Sequence, residues 1–191
     1  MLKEVTIHLL GISGSLRAGS YNTRLLEVAA GLLPDGVTME IIGLEDIPLF
    51  NWDEEKPMPE AVGRLRERIA AADAVLIAAP EYNTGISGAL KNALDWASRA
   101  PNAPFTGKPV AVIGASTGML GTARAQLQAR QVLTHIGALV LPKPEVLIPR
   151  AAEAFDADGN MVSETSRGFL RQLLAALVDW TRCHAAGVES G

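Results

Sequence analysis

Five apolar segments rich in β-branched residues recur along the chain, at residues 5–12, 37–44, 74–79, 110–115 and 138–148, and the stretches between them change to helical periodicity. A strand that is apolar on both faces must be covered on both faces, as in a parallel sheet flanked by helices. Leu25, Leu26, Val28, Ala29 and Leu32 form one helical stripe, Val62, Leu65, Ile69 and Ala72 a second, and Ile86, Leu90, Ala93, Leu94 and Ala97 a third. A fourth helix is expected over about 121–136. A fifth is expected over about 165–184, with Phe169, Leu170, Leu173, Leu174, Leu177 and Trp180 facing inward. This alternation predicts an α/β fold in which a five-stranded parallel sheet is the middle layer of a three-layer sandwich.

Five strands with this connectivity fit the flavodoxin-like order 2-1-3-4-5 better than the six-stranded dinucleotide-binding sheet, and they predict a site at the tips of strands one, three and four. The 191 residues, 48% of them apolar, match one well-buried domain spanning 1–191, with the last few residues expected as a loose tail. Seventeen Lys plus Arg against 21 Asp plus Glu give a net charge of −4, without the basic stripe that nucleic-acid binding needs. No apolar run approaches the roughly 20 residues of a membrane span. The single cysteine, Cys183, has no internal disulfide partner, and no signal-peptide pattern opens the chain, so a cytoplasmic location is expected.

Three loops fall at the predicted sheet edge. Behind strand three, Pro80-Glu81-Tyr82-Asn83-Thr84-Gly85 forms a polar ledge suited to a flat, hydrogen-bonding ring. Behind strand one, residues 11–23 form a Gly/Ser-rich turn into a helix, where free N–H groups and the positive end of the helix dipole attract an anion. Ser15, Ser20, Asn22 and Thr23 add side-chain donors there, and Arg17 adds a permanent cation. The glycines fit neither G-x-G-x-x-G nor a P-loop, so a terminal phosphate suits this turn better than a dinucleotide. The bland alternative is a helix capped by Ser20 or Asn22, with Arg17 merely solvated.

Behind strand four, Gly114, Ser116 and Gly118 satisfy G-x-S-x-G, the nucleophile elbow of α/β-hydrolases. Asp156, Asp158 or Asp179 with His184 supply the right chain order, but His184 stands near the end of a helix close to the tail, which is a poor placement for a catalytic base. His8 lies within a strand and His135 within an apolar helix. With one cysteine, the three histidines are too scattered for a metal cluster, and no metal site is indicated. The long loop 44–59 is either pinned to the core by Phe50 and Trp52 or part of the site. Asp156-Ala157-Asp158-Gly159-Asn160 resembles a calcium loop, but its glycine comes too early for an EF-hand, so a simple turn is expected.

Taken together, Gly14-Ser15-Leu16-Arg17 with Ser20 and Asn22, Pro80-Glu81-Tyr82-Asn83, Ser116-Thr117-Gly118 with Gly121, Leu90-Lys91-Asn92-Ala93 with Asp95-Trp96, and Pro48-Leu49-Phe50-Asn51 closely resemble the NADPH-dependent FMN reductase family, including its chromate- and quinone-reducing members. The resemblance covers roughly residues 5–180. It implies FMN as cofactor, with the phosphate at Ser15, Arg17, Ser20 and Asn22, the backbone of Leu16 and Thr23 nearby, Pro80, Glu81, Tyr82, Asn83 and Thr84 along the isoalloxazine ring, and Ser116, Thr117 and Gly118 on its other side. Thr122 stands where the family often carries a second glycine.

The implied activity is ping-pong: NADPH or NADH reduces the flavin, and a quinone-type acceptor, or an azo compound, chromate or free flavin, then takes the electrons at the same face. The cofactor carries the hydride chemistry, so no side chain is assigned a catalytic role. The resemblance also implies a homodimer or homotetramer, with Glu81 and Tyr82 turned toward a partner subunit. For Arg99, Arg124 and Arg130 a solvated helix face is the favoured reading over an NADPH phosphate contact or an interface. A flavodoxin-like electron carrier is the main rival, but the small third loop lacks the aromatic cover such a carrier often has.

Overall fold

The computed structural model describes residues 6–188. In chain order it contains β1 (Ile7–Ser13), α1 (Tyr21–Ala30), β2 (Val37–Ile42), α2 (Glu60–Ala71), β3 (Ala74–Ala78), the short β4 (Glu81–Tyr82) and β5 (Gly85–Ile86), α3 (Gly88–Ala97), β6 (Pro109–Ala115), α4 (Ala123–His135), β7 (Leu139–Val140), β8 (Val146–Ile148), α5 (Ala151–Ala154) and α6 (Glu164–Val188). The main sheet is parallel, in the order β2-β1-β3-β6-β7, with β8 also on β6. This is the expected flavodoxin-like order. Val5 and the tail at 189–191, both subjects of expectations above, lie outside the described residues.

Alternation within each strand splits the core in two. Leu9, Leu76, Ala111 and Ile113 face a layer that includes Leu25 and Leu26 of α1 and Leu170, Leu173, Leu174 and Leu177 of α6. Their strand neighbours Leu10, Val75, Ile77, Val110 and Val112 face Leu65 and Ile69 of α2, Leu90 and Leu94 of α3 and Leu133 of α4. Each such Leu or Ile contributes about 1.5–3 kcal/mol by leaving water.

Several local expectations shift. The fifth strand is not continuous over 138–148: β7 pairs beside Pro109 and Val110, and β8 resumes beside Ile113, Gly114 and Ala115. Pro142 and Pro144 lack the N–H that a ladder needs. Arg130 and Gln126 of α4 reach across the break to the carbonyls of Leu141 and Val146, at 2.6 and 2.9 Å. Helix α4 starts at Ala123 because Gly121 is left-handed, with φ +60°. Phe169 is half exposed, since the buried stripe of α6 runs through Leu170, Leu174 and Leu177, about 100° around the helix from it.

The 44–59 loop is pinned, by Phe50 and not by Trp52. The Phe50 ring meets Trp96 edge-on at 4.9 Å, and its N–H donates to Asn92 Oδ1 at 2.7 Å. The Pro48 carbonyl accepts from Asn92 Nδ2 (2.8 Å) and Trp96 Nε1 (2.9 Å). Trp52 is 65% exposed, with the Arg99 guanidinium 4.0 Å from its ring centroid. At 156–160 the chain makes the expected turn, closed by Asp156 Oδ1 accepting from the Asn160 N–H at 2.8 Å.

Candidate functional site

At the carboxyl edge of the sheet, β1, β3 and β6 end side by side and their three loops enclose a cleft of about 180 Å³. The loops approach closely because Gly14 has no side chain: a Cβ there would stand 2.8 Å from Pro80 Cδ and 3.0 Å from the Ala78 carbonyl. Ser87 adds a strut, its hydroxyl donating to the Gly14 carbonyl at 2.5 Å while its oxygen caps α3.

Of the residues expected at a site, Ser15, Arg17, Ser20, Asn22, Pro80, Glu81, Tyr82, Ser116 and Thr117 line this cleft. Leu16, Thr23, Asn83, Thr84 and Gly118 belong to the same loops but not to its lining. Ser20 is the N-cap of α1, its oxygen accepting from the N–H groups of Asn22 (3.2 Å) and Thr23 (3.3 Å). Ser15 Oγ accepts from the Arg17 N–H at 3.3 Å. Both serines are buried, and each keeps its hydroxyl hydrogen for another acceptor. Among the described residues, the N–H groups of Leu16, Ala18 and Thr117 meet no acceptor. Arg17 is exposed beside them. The free N–H groups, the two hydroxyl hydrogens and the Arg17 cation together suit a phosphate monoester.

Thr23 and Asn22 build the cradle from behind. The Thr23 hydroxyl bonds Ser13 Oγ at 2.8 Å, and its N–H is already held by Ser20. The Asn22 carboxamide pairs with the Ala115 backbone, which joins α1 to the end of β6. Tyr21 and Ala115 also line the cleft and were missed by sequence reasoning. Ala115 acts through its backbone, which residue type cannot reveal.

The second loop is a two-residue hairpin. Tyr82 pairs with Gly85, and the intervening Asn83 and Thr84 have φ of +50° and +71°. Two left-handed residues in succession make a type I′ turn, natural for Asn and unfavourable for β-branched Thr. Glu81 turns inward to α4 and is bound by Arg124. Arg99 likewise pairs with Glu55, and Arg130 donates to Leu141, so these three arginines are tied within the chain and none is simply a solvated helix cation. Their partners lie on loops, invisible to helical periodicity. Burial lowers the Arg130 pKa, an effect that Glu145 partly offsets.

The first glycine of G-x-S-x-G has a packing explanation. A Cβ on Gly114 would lie 2.6 Å from the Ala79 carbonyl and against Thr122, whereas Gly118 is unconfined. Ser116 Oγ accepts from the Gly118 N–H at 3.1 Å. Its potential bases are elsewhere: His8 bonds Thr38, His135 ends α4, and His184 bonds the carbonyl of Trp180, whose indole reaches Leu139 at the start of β7. That is the opposite edge of the sheet. Among the described residues no group of three His, Cys, Asp or Glu side chains converges to hold a metal, and no helix is long and apolar enough to cross a membrane.

Residues 7–153 match the sequence model of the family described as NADPH-dependent FMN reductase. The chain is 51% identical over 177 residues to an NAD(P)H-dependent FMN reductase of Pseudomonas aeruginosa, covering 92% of this chain and 96% of that one. It is 38% identical over 172 residues to a 2-hydroxy-1,4-benzoquinone reductase of a Burkholderia species, covering 90% and 94%. Its fold superposes with a TM-score of 0.86 on FerB, a flavoenzyme NAD(P)H:(acceptor) oxidoreductase of Paracoccus denitrificans, at 38% identity and with 93% and 98% coverage. With a matched core that contains all three loops of the cleft, the chain belongs to the NADPH-dependent FMN reductase family.

Proposed function

We propose that this protein is an FMN-dependent NAD(P)H oxidoreductase that delivers electrons to quinone-type acceptors, the whole chain acting as one FMN-binding domain. The observation that carries the reading is the cradle of free donors and one cation at Ser15, Leu16, Arg17 and Ser20, set beside a hairpin ledge at 80–84 and the short loop 116–118. In this reading the cradle holds the phosphate, the ledge lies along the ring through its backbone, and Ser116, Thr117 and Gly118 approach from the other side. Asn22 and Thr23 keep the cradle in shape. FMN, when bound, supplies the hydride chemistry between a nicotinamide and the acceptor.

The chain's own groups orient and shield. N–H groups along the cleft favour negative charge at the ring's edge. Glu81 is engaged by α4 and Tyr82 is half exposed at the rim, and in this reading neither is assigned a proton-transfer role. A planar, largely apolar acceptor of the benzoquinone kind matches an open site lined by Tyr21 and the half-exposed Tyr82. Exposed Tyr82, Met119, Leu120 and Leu127 on the second loop, third loop and α4 support burial against another copy in a homodimer or homotetramer. The lone exposed Cys183 suits the reducing cytoplasm.

The test is direct. Purified protein is expected to take up FMN and show the flavin absorbance bands, which bleach on anaerobic addition of NADPH or NADH and return on addition of a benzoquinone. Failure to take up FMN rejects the reading. Uptake without bleaching leaves the electron-carrier role in its place. Light scattering of the eluting protein reads the assembly state.

A further inference from the structure

We propose that Glu81 is a positioning residue: its carboxylate fastens the 80–86 wall of the cleft to the first turn of α4 and thereby sets the spacing between that wall and the third loop. The proposal rests on the FMN reading above and concerns how the site for the ring is kept in shape.

Helix α4 begins without a cap of its own. Thr122, at the N-cap position, makes no capping bond because its hydroxyl oxygen accepts from Gln126 Nε2 at 3.1 Å. The missing cap comes from a residue 43 positions earlier in the chain. Glu81 Oε2 accepts from the backbone N–H groups of Arg124 (3.0 Å) and Ala125 (3.2 Å), and Oε1 accepts from Arg124 Nε (2.7 Å) and Nη2 (2.6 Å). The Glu81 side chain is 7% exposed whereas that of Arg124 is 51% exposed, so the carboxylate is held within the fold while its guanidinium partner stays at the surface. One carboxylate thus satisfies two orphan helix donors, complements the helix dipole and holds a guanidinium.

A second tie lies one turn along. The Ile86 N–H donates to Gln128 Oε1 at 2.8 Å, and a Cβ on Gly85 would stand 2.7 Å from the same atom. Both strands of the hairpin are therefore fixed to one face of α4. A hairpin of two residue pairs is not stable by itself, and Thr84 in a left-handed conformation weakens it further. The clasp to α4 supplies what the turn lacks. Since α4 emerges from the third loop, the second and third loops form one rigid wall.

The clasp also distinguishes the N-termini of α1 and α4. At α1 two first-turn N–H groups are capped by the neutral Ser20 hydroxyl, which leaves the positive helix end uncancelled, whereas the first turn of α4 carries the Glu81 carboxylate. A phosphate is drawn to the α1 end over the α4 end, which leaves the ledge for the ring.

The experiment compares the full-length wild type with Glu81→Ala, Glu81→Gln and Arg124→Ala, at a temperature where far-ultraviolet circular dichroism shows each folded. Hydrogen exchange is followed on the FMN-free proteins and FMN affinity by quenching of flavin fluorescence. Glu81→Ala is expected to speed exchange across 82–86 and the first turn of α4, but not in β1 or β3, and to weaken FMN binding about tenfold, the effect of losing a helix cap and a bidentate ion pair. Glu81→Gln retains acceptor oxygen for the helix and should recover most of both losses. Exchange and FMN affinity unchanged in Glu81→Ala, or exchange raised evenly through the sheet, would overturn the proposal. If Glu81→Ala does not fold, Arg124→Ala decides: it leaves both backbone caps and should weaken FMN binding about threefold with local acceleration at 82–86, and no change in either overturns the clasp. Wild type that takes up no FMN rejects the flavin reading, and the exchange pattern alone then judges the clasp.

Discussion

Asn22 and Ala115, 93 positions apart, exchange two hydrogen bonds of 3.0 Å: the carboxamide Nδ2 donates to the Ala115 carbonyl, and its Oδ1 accepts the Ala115 N–H. The pair is buried and joins the first turn of α1 to the tip of β6, so the cradle and the third loop are set relative to one another. Asn22→Asp keeps the acceptor but turns the donor into a charged oxygen facing a carbonyl. A loss of about 1–3 kcal/mol in urea unfolding is expected, with FMN binding weakened about tenfold. Unchanged unfolding and affinity would remove the pair from the account.

Arg17 is exposed, so Arg17→Ala should leave the melting temperature of the FMN-free protein unaltered. FMN binding should weaken about tenfold, and the gap should narrow in high salt as screening removes the charge contribution. Riboflavin, which lacks the phosphate, should bind wild type and variant alike. Equal loss for both ligands would move Arg17 away from the phosphate.

Ser116 makes its side-chain bond only within its own loop, accepting from the Gly118 N–H. Ser116→Ala is expected to retain substantial NAD(P)H oxidation, within about fivefold of wild type, the scale of one neutral hydrogen bond. Abolished activity with FMN still bound would contradict this assignment and give the serine a chemical role.

The two glycines of G-x-S-x-G should behave oppositely. Gly114→Ala drives a methyl group to 2.6 Å from the Ala79 carbonyl and is expected to cost about 1–3 kcal/mol in a denaturant melt. At Gly118 the nearest atom to a new Cβ is Ser116 Oγ, at 3.6 Å, so Gly118→Ala should fall within about 0.5 kcal/mol of wild type. Equal costs would refute the packing explanation.

Glu145 has its carboxyl pKa held below the ordinary 4.5, first by the hydrogen bond from Lys143 and then by the charges of Lys143 and Arg130. A carboxylate stabilised in this way supports the fold at pH values above 4.5, and the support is lost as pH falls below 4.5 and through the depressed folded value. Glu145→Gln should therefore lower stability at neutral pH and show a shallower decline on acidification, read as urea midpoints across the acid range. Parallel pH profiles for the two proteins would rule this contribution out.

Much of the architecture was legible in sequence because it depends on local periodicity. The doubly apolar runs around Leu9-Leu10, Val75-Leu76 and Val110-Ala111 declare strands covered on both faces, and the stripes of α1, α2 and α3 declare what covers them. The loops at the tips of β1, β3 and β6 follow from strand order, and with them the location of the cleft. The break in the fifth strand at Pro142 and Pro144 escapes this reading, because the apolar run 138–148 passes for one continuous strand.

Only the tertiary structure decided how the site's polar groups divide their work. Asn22 read as a ligand donor or a helix cap and Thr23 as a ligand donor, and their partners Ala115 and Ser13 turn them to bracing the cradle. Glu81 and Arg124 each invited a reading at a substrate or an interface until the fold brought them together over the start of α4. The physical reason is the same in each case. A side chain's chemistry is carried by its identity, but which of its hydrogen bonds remain free depends on neighbours that are remote in sequence and meet only when the sheet assembles.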